Sequence, residues 1–301
     1  MIIETEGLSK TFRRHDAVCH VSLSVPKGAV YALVGENGAG KTTTLRMLVN
    51  ILTPDRGSAR VLGVDSRRLA RREFLRLGYV SENQTLPDRL TVAQYFQYLR
   101  SLYPNWDRPL EAELLARFAL PHDRPLGKLS HGMRMKAMLA GALSFRPELL
   151  ILDEPLSGLD PLVRDEVLEG LLHQAEDTTV LISSHELSEI EGAATHMAFM
   201  DRGRVLFQEP VDVVRSRFRE ITATVGTDSG DIAGGLPASW LAADRSRNTF
   251  RCVETAFVSD ADVLQKLILH VGAVGNVDVR PMTLREIAKS LMRAMRTERS
   301  Q

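Results

Sequence analysis

The chain holds only two cysteines in 301 residues, Cys19 and Cys252. So few exclude a disulfide framework and a zinc-binding Cys pattern, and they are expected as small core hydrophobes in a reducing compartment. An excess of charge of one sign is missing too. Lys and Arg number 38, as do Asp and Glu, for a net charge of zero. That balance excludes the basic surplus of a general nucleic-acid binder, so no nucleic-acid partner is expected. No apolar run approaches the about 18 residues needed to span a bilayer. The opening MIIETEGLSKTF lacks the basic-then-apolar order of a secretory leader. No internal repeat is visible. What is there is ordinary for a chain with a proper core: 44% hydrophobic and 25% charged residues. The length fits one large or two modest domains.

Two periodicities divide the first part of the chain. Ile2 to Leu8 and Ala17 to Val25 alternate as half-buried strands, and Ala29 to Val34 is a continuous apolar run of the kind buried on both faces. A helix is expected over Lys41 to Leu52, ended by Thr53-Pro54-Asp55-Arg56-Gly57. Residues 84–143 read as mainly helical, with apolar stripes over Val92 to Tyr103 and Leu110 to Leu120. Short apolar strands follow at Leu149 to Leu152 and Thr179 to Ser183, separated by a helix from Pro161 to Gln174. Met197 to Met200 and Gly203 to Phe207 fit a hairpin. Strand–helix–strand repetition with buried strands implies a parallel sheet covered by helices, an α/β fold. Near residue 220 the texture changes. Short strands at Ile221 to Val225, Phe250 to Val253 and Val277 to Val279, a helix over Ala261 to Val271 and a Thr283/Glu286 capping box suggest a small C-terminal α+β domain. The expected division is 1–217 and 218–301. The stretch from Thr227 to Asn248, rich in Gly, Ser, Asp and Ala, shows no element.

The chemistry begins where the buried strand ends. Gly35-Glu36-Asn37-Gly38-Ala39-Gly40-Lys41-Thr42-Thr43 matches G-x-x-x-x-G-K-[ST]. Glycines let consecutive N–H groups turn inward onto phosphate oxygens, and the helix that follows adds its positive end. Lys41 is expected on the β- and γ-phosphates and Thr42 on Mg²⁺. The strand Leu149 to Leu152 ends in Asp153 and Glu154. Parallel sheets bind ligands at the carboxyl ends of their strands. Asp153 is therefore expected at the Mg²⁺ and Glu154 as the base that polarises the attacking water. Ser184-His185 ends another strand on the same rim, where His185 would hold that water and Glu154.

With these residues in order, the chain resembles the nucleotide-binding subunits of ABC transporters. Leu129-Ser130-His131-Gly132-Met133 resembles that family's signature, Leu-Ser-Gly-Gly-Gln, with His131 and Met133 as departures. The resemblance covers about residues 1 to 217. It implies a P-loop fold of ABC type, with a mostly parallel core sheet, an N-terminal antiparallel β subdomain and a helical subdomain at about 84–143. It further implies that Ser130 and Gly132 touch a γ-phosphate, that Phe12 stacks on adenine, and that Ser157-Gly158-Leu159-Asp160 is the D-loop, with Asp160 at the nucleotide. The residue that senses Mg²⁺ and the membrane subunit is Glu82 or Gln84, with Glu82 favoured as a carboxylate. Tyr103-Pro104-Asn105-Trp106-Asp107 and Ser81-Glu82-Asn83 resemble a bacterial subgroup that partners ABC-2-type exporters.

The resemblance implies ATP and Mg²⁺ as ligands and two nucleotide domains paired head to tail around ATP. One chain carries one set of motifs, so a homodimer is expected, with a heterodimer as the alternative. It also implies a separate integral membrane permease subunit and a cytoplasmic, peripheral position on the inner face of the cell membrane. Two rival readings stand beside this one. A soluble ABC ATPase of translation or DNA repair would carry two nucleotide domains or a long coiled-coil insertion, and neither is seen. A regulatory ATPase would use the tail to sense a ligand.

Overall fold

The computed structural model describes residues 1–173, 178–186, 190–226 and 235–298; strands and helices are numbered here in chain order. Alternation organises the first sheet. β1 (Ile3–Phe12) turns Ile3, Thr5 and Leu8 inward. It pairs antiparallel with β2 (His15–Val21), β3 (Ser24–Val25) and β5 (Arg56–Val61), and β6 (Val64–Asp65) completes the sheet on β5. The strand expected over Ala17 to Val25 is thus interrupted at Ser22-Leu23. Thr5 bridges the break, its buried hydroxyl donating to the Val21 carbonyl at 3.0 Å and accepting from the Leu23 N–H at 2.7 Å.

The second sheet carries the site. β4 (Val30–Val34) and β8 (Leu149–Asp153) are buried at every residue, as is β9 (Thr179–Ser184). With β7 (Leu77–Ser81), β10 (His196–Asp201) and β11 (Arg204–Pro210) they form the order β11-β10-β4-β9-β8-β7. The pairs β10–β4, β4–β9, β9–β8 and β8–β7 are all parallel. Their register sets Val34 beside Ser184, Ser183 beside Asp153, and Asp153 beside Ser81. Four strands therefore deliver their carboxyl ends to one rim. The β10–β11 turn has positive φ at both Arg202 and Gly203, 43° and 75°, the twist that joins adjacent strands tightly.

Helices α1 (Lys41–Leu48), α2 (Arg71–Phe74) and α6 (Pro161–Leu172) accompany these strands, and α3 (Val92–Leu102), α4 (Arg108–Arg117) and α5 (His131–Leu143) lie between β7 and β8. α1 stops short of the expected Leu52. Asn50 enters the left-handed region at φ 59°, and the N–H of Ile51 reaches back to the Arg46 carbonyl at 2.9 Å, closing the helix end. Residues 84–91 are not helical; α3 begins only where Thr91 and Gln94 form a reciprocal capping box. α6 ends at Leu172, and the expected end at Gln174 lies outside the described residues.

Two compact units divide the chain at Met1–Gln208 and Glu209–Gln301, so α7 (Val211–Arg217) falls in the second. That unit holds an antiparallel sheet, β13 (Trp240–Ser246), β14 (Thr249–Glu254), β12 (Arg219–Val225) and β15 (Val274–Pro281), followed by α9 (Leu284–Glu298). α8 (Asp260–Val271) packs Val263, Leu267 and Val271 against Ile221, Trp240 and Phe250. Fully buried Glu254 is satisfied by the Trp240 indole at 3.1 Å, the Ala256 N–H at 2.8 Å and the Lys266 ammonium at 3.0 Å. β13 lies where no element was expected. Its bulge between Leu241 and Asp244, with Ala242 at φ 50°, breaks the alternation that would have revealed it. Positions 227–234 of the Gly- and Ser-rich stretch are outside the described residues. Cys252 is buried and Cys19 only half-buried; both are free thiols. Among the described residues no helix is long and apolar enough to cross a membrane.

Candidate functional site: a phosphate loop on a rim of strand ends

The chain leaves β4 at Gly35 and enters α1 at Lys41, and the turn between them admits little besides glycine at its two ends. A Cβ on Gly35 would lie 2.2 Å from the Met200 carbonyl oxygen. Gly40 is left-handed at φ 102°, and a Cβ there would come within 2.4 Å of the Ala17 carbonyl. Gly40 is the N-cap of α1, with no side chain capping the helix and no acidic residue in its first turn. The positive end of α1 is therefore left for a ligand, and backbone N–H groups with a helix dipole behind them bind phosphate.

An ammonium, a carboxylate and an imidazole meet beside this loop. Lys41 is almost fully buried, and its ammonium donates to the carbonyls of Gly35 at 2.7 Å and Glu36 at 3.3 Å. It also pairs with Oε1 of Glu154 at 2.9 Å. The other oxygen of Glu154 faces Nδ1 of His185 at 2.8 Å and accepts from the His185 N–H at 3.3 Å. Glu154 stands in the left-handed region at φ 52°, a strained conformation for a residue with a Cβ. Its N–H is held by Ser183 Oγ at 2.9 Å.

Asp153, 3% exposed, accepts from Thr42 Oγ1 at 2.8 Å and from Ser183 Oγ at 3.0 Å, both on Oδ1. The Asp153 carbonyl accepts from the Glu82 N–H at 3.1 Å, which fixes the chain as it leaves β7. Tyr79, half-buried below the rim, has its phenol pushed up, first by burial and then by the negative charge of Asp153. A hydroxyl and carboxylates offer hard oxygen ligands, and the phosphates of a nucleotide on the neighbouring loop would supply more. This donor set fits Mg²⁺ held jointly by protein and phosphate.

Lys41, Thr42, Asp153 and Glu154 open onto a cleft of about 390 Å³, which His185 does not line. Phe12 lines it at the surface, 43% exposed, as do Asn37 to Thr43 of the loop, Glu82, Asp153 and Glu154. Gly35 and Glu36 shape the loop behind and hold Lys41 through their carbonyls. Gln84, two residues beyond Glu82, instead lines a small groove with Tyr95, Tyr103 and Phe145. Ser130, Gly132 and Asp160 are not among the cleft's lining residues. Ser130 Oγ caps α5 by accepting from the Met133 N–H, and Asp160 caps α6 by accepting from the Val163 N–H. Gly132 packs on α6, where a Cβ would lie 2.9 Å from Val163 Cγ1.

Four residues of the cleft were not among the expected site residues: His15, Ala17, Ser81 and Asn83. His15 pairs with Phe12 across the β1–β2 hairpin, a partnership that the alternation after residue 12 could have signalled. Ser183, which ties Asp153 to Glu154, was also missed; the sequence placed it only as the end of a strand.

The family model for ABC transporters matches residues 18–157. The daunorubicin/doxorubicin resistance ATP-binding protein DrrA of Streptomyces peucetius is 37% identical over 220 residues, 71% of this chain and 67% of that one. The bacitracin transport ATP-binding protein BcrA of Bacillus licheniformis is 34% identical over 224 residues, 73% of each chain. The dimeric ATP-binding cassette MJ0796, in a post-hydrolysis state bound to ADP and Pi, shares the fold. Its TM-score is 0.62 at 20% identity, covering 69% of this chain and 98% of that one.

Proposed function

The chain belongs to the ABC transporter family as an ATP-hydrolysing subunit, and we propose that it drives an exporter, as a head-to-tail dimer on a separate membrane permease. Each ATP lies between the phosphate loop of one copy and Ser130 and Gly132 of the other. The observation that carries this reading is the division of the motifs. The phosphate loop, Asp153 and Glu154 share one cleft, whereas Ser130, Gly132 and Asp160 stand outside its lining. A single copy then holds half of a complete site, and two copies complete two.

In this reading Phe12 stacks on the adenine and the loop from Gly35 to Thr43 cradles the phosphates. Lys41 exchanges its pairing with Glu154 for the β- and γ-phosphates. Thr42 and Asp153, with Glu82 nearby, hold Mg²⁺, which neutralises phosphate charge when bound. A carboxylate oxygen of Glu154 takes the proton of the attacking water, and His185 holds that carboxylate in place. Asp160 acts at the nucleotide from the start of α6. The ATP-binding domain is assigned to residues 1–217 and an accessory role to 218–301. The partner dimer is a homodimer, with a related ATPase chain as the alternative second subunit. The complex sits on the cytoplasmic face of the cell membrane. Export is supported by DrrA and BcrA, named for drug resistance and bacitracin transport. The permease, rather than this chain, selects the cargo.

The test is co-purification. A tagged Glu154→Gln variant is expected to retain ATP and stay closed, so membranes solubilised in mild detergent with ATP should yield a polytopic membrane protein at a fixed ratio. Recovery of only ribosomal, DNA-associated or other soluble partners would leave the ATPase standing and defeat the exporter reading.

A further inference from the structure

Outside the cleft, one exposed histidine joins two segments on which the proposed function depends. His131 is the first residue of α5, and its Nε2 lies 3.1 Å from the main-chain oxygen of Ser157. A carbonyl can only accept, so the ring carries its proton on Nε2 and donates. Ser157 stands midway along the segment that begins at Glu154 and ends at Asp160, the cap of α6. The segment turns through two left-handed residues, Glu154 at φ 52° and Gly158 at φ 67°. Its internal backbone bonds, Ser157 N–H to Glu154 and Leu159 N–H to Leu156, are both long at 3.3 Å. The histidine bond is the shorter restraint.

The donor itself is well founded. Gly132, the next residue, is packed against Val163 of α6. One turn further along α5, buried Lys136 pairs with Glu166 of α6. α5 and α6 are thus fastened side by side, and His131 reaches from that platform to the strained loop between β8 and α6. In the family signature that this stretch resembles, the same place holds glycine, which has no side chain to make such a bond.

We propose that His131 is a positioning residue for hydrolysis: its bond to the Ser157 carbonyl holds the 154–160 segment, and through it the Glu154 carboxylate, in place. The proposal rests on the reading of Glu154 as the base. It is tested by His131→Leu, which keeps the bulk and loses the donor, and His131→Gln, whose amide can donate from a similar reach. In the full-length protein, His131→Leu should lower kcat about fivefold, the factor that one neutral hydrogen bond carries. Affinity for a fluorescent ATP analogue should stay within twofold of the parent, and His131→Gln should recover most of the loss. Wild-type kcat in His131→Leu would overturn the proposal, as would equal kcat in the two variants. A large fall in melting temperature in His131→Leu, matching the kcat loss and not rescued by Gln, would also overturn it by making the role merely structural. Undiminished turnover in Glu154→Gln is a separate outcome: it would remove the base on which the proposal rests, whatever His131 does.

Discussion

Ser183→Ala probes the joint between the two carboxylates of the site. Ser183 is fully buried, and its hydroxyl does two things at once. It donates to Asp153 Oδ1 at 3.0 Å and accepts from the Glu154 N–H at 2.9 Å. Alanine keeps the Cβ and removes both bonds, so the change in packing is small and the loss is almost wholly polar. A neutral bond contributes about 1 kcal/mol net and one to a charged acceptor about 1.5 to 3 kcal/mol, so destabilisation of about 2.5 to 4 kcal/mol is expected. Glu154 also loses the contact that holds its N–H in a left-handed conformation, a strain of roughly 1 to 3 kcal/mol that is free to relax. Turnover should therefore fall at least tenfold, while Lys41 and the phosphate loop, which do not touch Ser183, keep nucleotide affinity near that of the parent. The two tryptophans make the stability measurement direct. Trp106 lies in the first compact unit and Trp240 in the second, so in a Trp240→Phe background urea unfolding followed by fluorescence reports the unit that holds the site. A shift under about 0.5 kcal/mol with wild-type turnover would refute the reasoning, because the two bonds would then carry nothing.

Three further outcomes are expected. Gly40→Ala forces a side chain to within 2.4 Å of the Ala17 carbonyl at φ 102°, so binding of a fluorescent ATP analogue should drop at least tenfold; normal binding would show that the loop is not held as described. Burial, helped by the nearby charge of Glu254, pushes the Cys252 thiol up to about 12, so a thiol reagent should modify Cys19 in the native protein and Cys252 only after unfolding. Acid should destabilise the first unit. The Leu110 N–H and then Arg146 lower Asp107, Arg76 lowers Glu148, and Arg67 holds Asp65 down to about 2. Each carboxyl binds its proton less readily folded than unfolded. Its contribution is therefore full above the unfolded value of about 4 and is lost as pH falls toward 2. Melting temperature should fall through that window, and Asp107→Asn, which keeps a capping oxygen but no charge, should flatten the slope; an unchanged slope would count against the assignment.

The rim of the site was legible because two local patterns share one rule. A glycine-rich loop after an apolar run, and acids or Ser-His after other apolar runs, need only a parallel sheet to bring them together. The continuous burial of β4, β8 and β9 is what a parallel sheet demands. Elements whose ends depend on one backbone conformation were less legible. α1 ends early because Asn50 turns left-handed, a choice that apolar periodicity does not record. β13 is hidden by a bulge that shifts its inward residues by one. Ser183 was invisible as a site residue for a third reason. Its role is fixed by register, since Asp153 lies beside it across the β8–β9 ladder, and register between strands distant in sequence is not written in either strand alone.

The same distinction separates two kinds of departure from the family pattern. Glu82 stands two residues before Gln84, and the two part locally: Glu82 lines the cleft, and Gln84 lines a small groove. His131 is different. It replaces a residue without a side chain by one that reaches the Ser157 carbonyl, so the departure adds a bond where the pattern has none. A substitution that only removed a contact would have to be tolerated by its surroundings. One that adds a contact to a strained loop beside Glu154 can set how firmly that loop is held, which is why the variant signature bears on turnover as well as on family membership.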